Sequence, residues 1–339
     1  MSRLLVVSLA ALAVTVSAQP ADRPLPVLDV HLHAVGADDN GPPPLGLCVP
    51  MTRHHLPPAE PGRPWVEAFM ASVTEPTCDD PFWSPETDEA LLAETVAEME
   101  RWNVIGVAGG TPDRALQWAA AAPDRFLPSV QLQIGRDDYG LDSLRVLFED
   151  GPFVMLGEVA NQYVGIAPDD PRMEPYWALM AELDVPVAIH MGEGPTGAAA
   201  LFPEYRMELA SALHLEPVLA RHPTLRVLIM HYGSPFIDDT TAILGAYPQV
   251  SVDLGGIQWF YPRAYFYRQL QELVDAGFGD RILFGSDAMT WPGLIGESIR
   301  IIEEAPFLSE AEKRAILYDN AARFLRLDEA TIARHHGRD

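Results

Sequence analysis

Positive charge is scarce in this chain. Its 339 residues include 23 lysine and arginine side chains against 48 aspartate and glutamate side chains, which gives a formal net charge of -25 and a pI near 4.6. Such a balance argues against binding to nucleic acid or docking on anionic lipid. It does not identify a substrate, and a solvated acidic surface is its simplest meaning.

Long hydrophobic runs are also scarce, and the most apolar one lies at the N-terminus. Arg3 precedes an apolar stretch, Leu4 to Val16, that is interrupted only by Ser8 and Thr15 and followed by small residues. This pattern predicts a signal peptide over residues 1–18, with cleavage before Gln19. The stretch is shorter than the ~20 residues of a spanning helix, although an uncleaved anchor remains an alternative. We therefore expect an exported protein, periplasmic or secreted, whose residues 19–339 form a single domain.

There are only two cysteines, Cys48 and Cys78, and both fall in one irregular segment. In an oxidising compartment such a pair favours a disulfide over two free thiols, which is the alternative. Because it closes this loop, the bond would stabilise the folded protein by about 3–4 kcal/mol in the chain-entropy model. The spacing does not match a zinc ribbon.

No glycine-rich phosphate-binding turn follows the first predicted strand, which disfavours a doubly wound nucleotide-binding sheet. Instead, apolar strands alternate with helical segments. The expected strands are 26–30, 104–108, 126–134, 153–159, 185–190, 225–231, 250–254 and 282–286. Eight such units in about 300 residues predict a (β/α)8 TIM barrel. A long proline-rich insertion, residues 34–88, interrupts the first unit, and we expect it to be an ordered lid.

Histidines and carboxylates follow five of these strands. In a barrel, the carboxyl ends of the strands meet at one mouth, so side chains placed there converge. His31 and His33 are spaced to share one strand face. Any one of these histidines is more often a core residue than a ligand, but their joint placement predicts a metal site. The set is His31, His33, Glu158, His190, His231 and Asp287.

A family resemblance rests on most of these residues. It is carried by His31-Leu32-His33, His190, His231 and Gly285-Ser286-Asp287, with Asn320-Ala321-Ala322-Arg323-Phe324-Leu325 in support. Over residues 27–327 the chain resembles the amidohydrolase superfamily. The similar branch is the amidohydrolase-related one, which contains aminocarboxymuconate semialdehyde decarboxylase and lactone hydrolases. The resemblance implies a distorted TIM barrel with a divalent metal, most simply zinc, at its mouth.

The resemblance also implies roles for the ligands. In mononuclear members, His31, His33, His190 and Asp287 match the ligand positions, and His231 orients water or substrate. If Glu158 instead bridges two ions, His190 and His231 hold the second ion. We expect one ion, with Glu158 as the least secure ligand. Other divalent metals suit the same donors.

Three functions fit such a site. A zinc-bound water with a pKa of about 7, with Asp287 as proton acceptor and His231 as hydrogen-bond donor, would hydrolyse a small ester, lactone or amide. The same residues could support non-oxidative decarboxylation of a small carboxylic acid, and a barrel that binds without turnover is the third possibility. Export favours hydrolysis, which is therefore the expected activity.

Weaker candidates surround the predicted mouth. Arg53 in the insertion, Arg263 after strand seven and Trp291 after strand eight are candidate substrate contacts, although solvated or packing roles fit them as well. The expected partner is a small molecule. A homodimer is compatible with the sequence.

Overall fold

The computed structural model describes residues 24–54, 57–137 and 139–338. The predicted signal peptide and its cleavage site lie outside these residues. Within them, no helix combines the length and apolar character needed to cross a membrane. Ten strands are present: β1 Val27–His33, β2 Gly46–Leu47, β3 Phe82–Trp83, β4 Val104–Gly110, β5 Phe126–Leu132, β6 Leu156–Val159, β7 Val187–His190, β8 Val227–Met230, β9 Val250–Asp253 and β10 Ile282–Leu283.

Eight of these strands form one parallel sheet in the order β1-β4-β5-β6-β7-β8-β9-β10. Hydrogen bonds join the first strand to the segment that directly follows the last strand: Val30 N donates to Phe284 O at 3.0 Å, and Asp287 N donates to His31 O at 2.8 Å. The sheet is thus a nearly closed barrel, and the predicted (β/α)8 TIM-barrel fold is confirmed. The second of these bonds also places Asp287 beside the first strand.

Helices fill the connections. They are α1 Met51–His54, α2 Trp65–Thr74, α3 Asp88–Trp102, α4 Pro112–Ala121, α5 Leu141–Asp150, α6 Glu174–Glu182, α7 Ala198–Leu201, α8 Glu216–Arg221, α9 Ile237–Ala246, α10 Ile257–Phe260, α11 Arg263–Leu273, α12 Gly293–Glu303, α13 Glu310–Arg314, α14 Asn320–Phe324 and α15 Glu329–His335. Local signals set several starts. Thr87 and Thr111 cap α3 and α4, and Ser309 forms a capping box with Glu312.

Two stretches with helical apolar spacing, and the polar C-terminal tail, differ from what their sequence predicts. The spacing over 209–221 predicts one helix, but the structure has two 3₁₀ turns followed by α8, because Ser211 has extended backbone and caps the second turn. The spacing over 310–325 also predicts one helix, which a π-helical turn interrupts. The polar composition of the tail predicts solvated histidines, but the tail forms α15, whose His335 Nδ1 lies 2.9 Å from the Tyr318 hydroxyl.

The insertion is tied to the barrel at several loops. Cys48 and Cys78 form the predicted disulfide, with their Cα atoms 6.0 Å apart, beside the short β2–β3 pair. Thr52 donates to Phe260 O beyond β9 at 3.0 Å, and Trp291 Nε1 beyond β10 donates to Leu45 O at 2.9 Å. Residues 34–88 therefore contact loops at the carboxyl ends of the strands, where the expected lid would lie.

Two apolar clusters hold the barrel. The larger joins strands to the surrounding helices, for example Val104 and Val130 with Trp118 and Phe266. The smaller joins side chains of several strands, such as Leu28 and Leu228, to the C-terminal residues Tyr318 and Phe324. Burial of apolar side chains is the dominant favourable contribution to folding. The strand ends that carry the polar residues therefore lie on a rigid, well-packed support.

Candidate metal centre

The barrel brings all six predicted metal-site and catalytic residues together. His31 and His33 lie on β1, Glu158 lies on β6 and His190 is the last residue of β7. His231 directly follows β8, and Asp287 comes directly after Leu283-Phe284-Gly285-Ser286. His31, His190, His231 and Asp287 are buried, and the other two are nearly so. Three overlapping triplets hold their ligand atoms within 4.8 Å of one another. They are His31, His231 and Asp287; His31, His33 and Glu158; and Glu158, His190 and His231.

The first side of the centre is formed by β1 and Asp287. His33 Nε2 lies 3.0 Å from Asp287 Oδ1, and His31 Nε2 lies 3.6 Å from the same oxygen. The two imidazole rings are 5.2 Å apart between centroids. The spacing of two histidines by one residue thus brings both rings to one carboxylate.

The second side is formed by His190 and His231. Their Nδ1 and Nε2 atoms lie 2.9 Å apart, and His190 Nδ1 lies 2.5 Å from Glu158 Oε1. His190 therefore faces Glu158 and His231, rather than joining His31, His33 and Asp287 in one ligand set.

Glu158 lies between the two sides. Its Oε1 is directed to His190 and, at 3.7 Å, to His231 Nε2, whereas its Oε2 lies 3.6 Å from His33 Nε2. One carboxylate thus offers a different oxygen to each side of the centre. This arrangement suits a bridging ligand as well as a ligand to a single ion.

The buried carboxylates of the centre favour an added positive charge. Burial alone raises the pKa of Glu158, but His190 and His231 hold it well below its usual range. Asp287 behaves alike: burial raises its pKa, and His31 and His33 lower it below the usual value. For His31, burial lowers the pKa, yet Asp253 and Asp287 raise it to about 10. The buried carboxylates thus stabilise a proton on an imidazole, as they would stabilise a cation.

The residues fit a divalent metal ion. The buried His31 Nε2 and His190 Nε2 have no hydrogen-bond partner among the residues that the structure describes. Unpartnered buried nitrogen atoms are costly unless a further group satisfies them. Since His31 Nε2 lies within the mixed imidazole and carboxylate donor set, a divalent ion would satisfy it.

Asp253, at the end of β9, was not predicted. Its Oδ2 lies 3.1 Å from His31 Nδ1, and its Oδ1 accepts hydrogen bonds from the backbone N–H groups of His231 and Gly255 at 3.1 and 2.8 Å. It thereby holds a histidine from each side of the centre. The available signal was an acidic residue at the end of an apolar strand, the same signal that identified Asp287.

Two glycines allow this close packing. A Cβ atom on Gly255 would lie 2.4 Å from His31 Nδ1, and one on Gly285 would lie 2.7 Å from His31 Cβ. Any larger residue at either position would displace the His31 ring.

The three candidate substrate residues lie elsewhere. Arg263 forms ion pairs with Glu297 and Glu304 at 3.2 and 2.7 Å, so its side chain is held towards α12, and its substrate role stays a prediction. Trp291 is buried and donates to Leu45 O, which makes it an anchor of the insertion. Arg53 is exposed on α1.

The fold and the site together define a class: TIM-barrel enzymes with a candidate metal centre at the carboxyl ends of the strands. The family model described as amidohydrolase matches residues 29–327. The chain therefore belongs to the amidohydrolase family, as its strand-end residues predicted. Members of this family typically bind a divalent metal.

Curated relatives narrow the branch. The chain is 27% identical over 279 residues to a gamma-resorcylate decarboxylase of Rhodococcus jostii (strain RHA1), covering 70% of this chain and 82% of that protein. It is 24% identical over 262 residues to a gamma-resorcylate decarboxylase of Rhizobium sp. (strain MTP-10005), covering 68% and 79%. An uncharacterised TIM-barrel protein of Bordetella bronchiseptica shares the fold, with a TM-score of 0.59, 17% identity and coverage of 91% and 100%.

Proposed function

We propose that the protein is a metal-dependent decarboxylase of a small carboxylic acid. The observation that carries this proposal is the buried Asp287 carboxylate beside a candidate metal centre, in a chain whose curated relatives are gamma-resorcylate decarboxylases. This is the alternative that the sequence analysis left open. The expected hydrolysis becomes the second candidate.

His31, His33 and Asp287 would hold the ion on one side, with Glu158, His190 and His231 completing the centre. The ion would supply a Lewis acid next to the substrate's carboxylate. Zinc remains the expected ion.

Asp287 would carry the proton. His31 and His33 outweigh the effect of burial and lower its pKa, so that it is ionised at neutral pH. It can therefore accept a proton from a substrate hydroxyl or from water and return that proton to carbon. When the bond between the substrate's carboxylate and the adjacent carbon breaks, the electron pair of that bond stays on the adjacent carbon and CO2 leaves. The new C–H bond then forms with the proton from Asp287.

His231 would position the reacting group. Its Nδ1 lies 2.8 Å from the carbonyl oxygen of Gly255 and donates to it in the tautomer that leaves Nε2 directed to Glu158 and His190. In that tautomer Nε2 carries its lone pair into the centre, where it would bind a metal or accept a hydrogen bond from a protonated substrate oxygen, while the backbone contact holds the ring.

One observation favours hydrolysis as a second candidate. Glu158 offers separate oxygens to the two sides of the centre, and a bridged pair of ions is an arrangement of metal-dependent hydrolases. Two ions would therefore favour hydrolysis, whereas one ion, which is our expectation, is compatible with either reaction.

Two assays separate the candidates. CO2 release from gamma-resorcylate and related hydroxybenzoates is measured beside hydrolysis of a lactone, ester and amide panel. Elemental mass spectrometry counts the metal in the same sample, purified without chelator. Asp287→Asn should lower turnover by about 100-fold or more. Hydrolysis without CO2 release, with two ions per chain, would replace decarboxylation with the second candidate.

We also propose that the protein is exported. The apolar N-terminal stretch predicts it, and the Cys48–Cys78 disulfide is typical of an oxidising compartment. N-terminal sequencing of the mature protein should begin at Gln19. An intact N-terminus on protein recovered from the cytoplasm would contradict export.

A further inference from the structure

The segment after β7, residues 192–197, holds two polar atoms that lack partners. Glu193 Oε2 and Thr196 Oγ1 are both buried, and neither has a hydrogen-bond partner within 24–54, 57–137 and 139–338. Thr196 is only 6% exposed. Because buried polar groups are nearly always satisfied, two such atoms on one short segment point to a bound ligand.

The other oxygen of Glu193 is already fixed. Its Oε1 accepts hydrogen bonds from the hydroxyl groups of Tyr261 and Ser234, at 2.6 and 3.1 Å. In the described part of the chain, no lysine, arginine or histidine forms an ion pair with this carboxylate. The side chain is therefore held by neutral donors, and its free oxygen is best matched by a donor that carries positive charge.

This segment adjoins the candidate metal centre. Glu193 follows His190 by three residues, and its partner Ser234 follows His231 by three. The intervening backbone passes close to the centre, since a Cβ atom on Gly192 would lie 3.0 Å from His231 Cβ. A molecule bound at the centre could therefore extend one end towards Glu193.

Aromatic rings lie around the same segment. The Tyr163 ring is 4.6 Å from the His190 ring and 4.7 Å from the Phe202 ring, measured between centroids. Trp65 of the insertion lies against Gly197, where a Cβ atom would be 2.2 Å from its ring. Rings from the barrel and from the insertion therefore enclose the segment that holds the two unpartnered oxygens.

We propose that residues 192–197 form a substrate subsite for an amine or ammonium group, with Glu193 as its acceptor. The inference rests on the proposed function, because it takes the metal centre as the place where the acid group binds. It narrows the substrate class to small carboxylic acids that carry a basic nitrogen at the opposite end. An acid with a second anionic group there would be disfavoured.

Binding of matched probes to the full chain tests this subsite. The probes are 4-(aminomethyl)benzoate, terephthalate and 4-methylbenzoate, whose distal groups are cationic, anionic and neutral, and calorimetry gives each Kd. We expect the cationic probe to bind at least about tenfold more tightly than terephthalate. In Glu193→Gln that ratio should fall to about threefold or less, with the Kd of 4-methylbenzoate unchanged. Glu204→Gln, a nearby exposed carboxyl, is the matched control and should keep the ratio.

The outcomes separate the two proposals. Equal affinities in the wild-type protein, or a ratio that survives Glu193→Gln, would overturn the subsite. CO2 release together with equal affinities would leave the decarboxylase and remove the subsite alone. An amine preference lost in Glu193→Gln, in a protein that releases no CO2, would keep the subsite and remove the decarboxylase alone.

Discussion

Asp253 holds His31 and the backbone at His231 in place, yet it is not a member of the ligand triplets. We predict that Asp253→Asn weakens metal binding by about 10–100-fold, because an amide orients the His31 ring less firmly and does not increase its basicity. Titration of the apoprotein with zinc gives the affinity directly. Asp275→Asn, an exposed aspartate two residues after the end of α11, is the control. An unchanged zinc affinity in Asp253→Asn would show that the carboxylate only packs there.

Site residues at the carboxyl ends of apolar strands were predictable, because parallel strands in a barrel bring these ends to one place. The six site residues illustrate this rule. Contacts of side chains beyond the strand ends were not predictable. Arg263, a predicted substrate contact, begins α11 and pairs with Glu297 and Glu304. Which partner such a side chain reaches depends on long-range packing, which sequence spacing does not encode.

Among the elements, the insertion carries a prediction about stability. Cys48→Ala with Cys78→Ala should lower the free energy of unfolding by about 3–4 kcal/mol, since the disulfide restricts the unfolded chain over the intervening loop. Denaturant titration of the oxidised wild-type protein and of the double variant measures the difference. The wild-type protein treated with reductant should match the variant. A midpoint insensitive to both changes would mean that barrel contacts alone fix the insertion.

Helix α15 carries a pH-dependent prediction. Burial lowers the pKa of His335 from 6.5 to about 4. The folded state therefore binds a proton at His335 less readily than the unfolded state does. The contribution of neutral His335 to stability is present above pH 6.5 and is lost as the pH falls towards 4. We predict that the decrease in the free energy of unfolding between pH 7.5 and pH 4.5 is smaller in His335→Gln than in the wild type by about 1–2 kcal/mol, allowing for solvent screening. Unfolding measured at pH 7.5 and at pH 4.5 tests it, and parallel pH profiles of variant and wild type would contradict it.

Elements with uninterrupted periodicity were the ones best predicted. For example, the apolar spacing over 87–102 predicts a helix, and α3 runs from Asp88 to Trp102, because Thr87 caps it and apolar residues recur along one face. The region 209–221 was harder, since its apolar spacing is helical while Ser211 breaks the backbone into separate turns. A local cap therefore decided that outcome over periodicity.

For the whole molecule, ligands from β1, β6, β7, β8 and β10 meet at one centre, so a bound ion would connect strands from around the barrel. An ion that binds the folded chain alone stabilises it by about 2.7 kcal/mol at a hundredfold excess over Kd. We predict that removing metal with a chelator lowers the Tm by about 4 °C. Scanning calorimetry before chelation, after it and after zinc is restored gives the shift.

A paired variant makes that shift specific to the centre. Glu158→Gln with His190→Ala removes two ligands that come from adjacent strands, so its Tm should respond weakly to chelator and to added zinc. If the variant instead shows the full wild-type shift, the stabilising ion lies elsewhere on this acidic chain. A wild-type Tm that ignores chelator, in protein shown to lose its metal, would mean that apolar packing alone holds the strand ends in register. In that case the ion serves the chemistry and adds nothing to the fold.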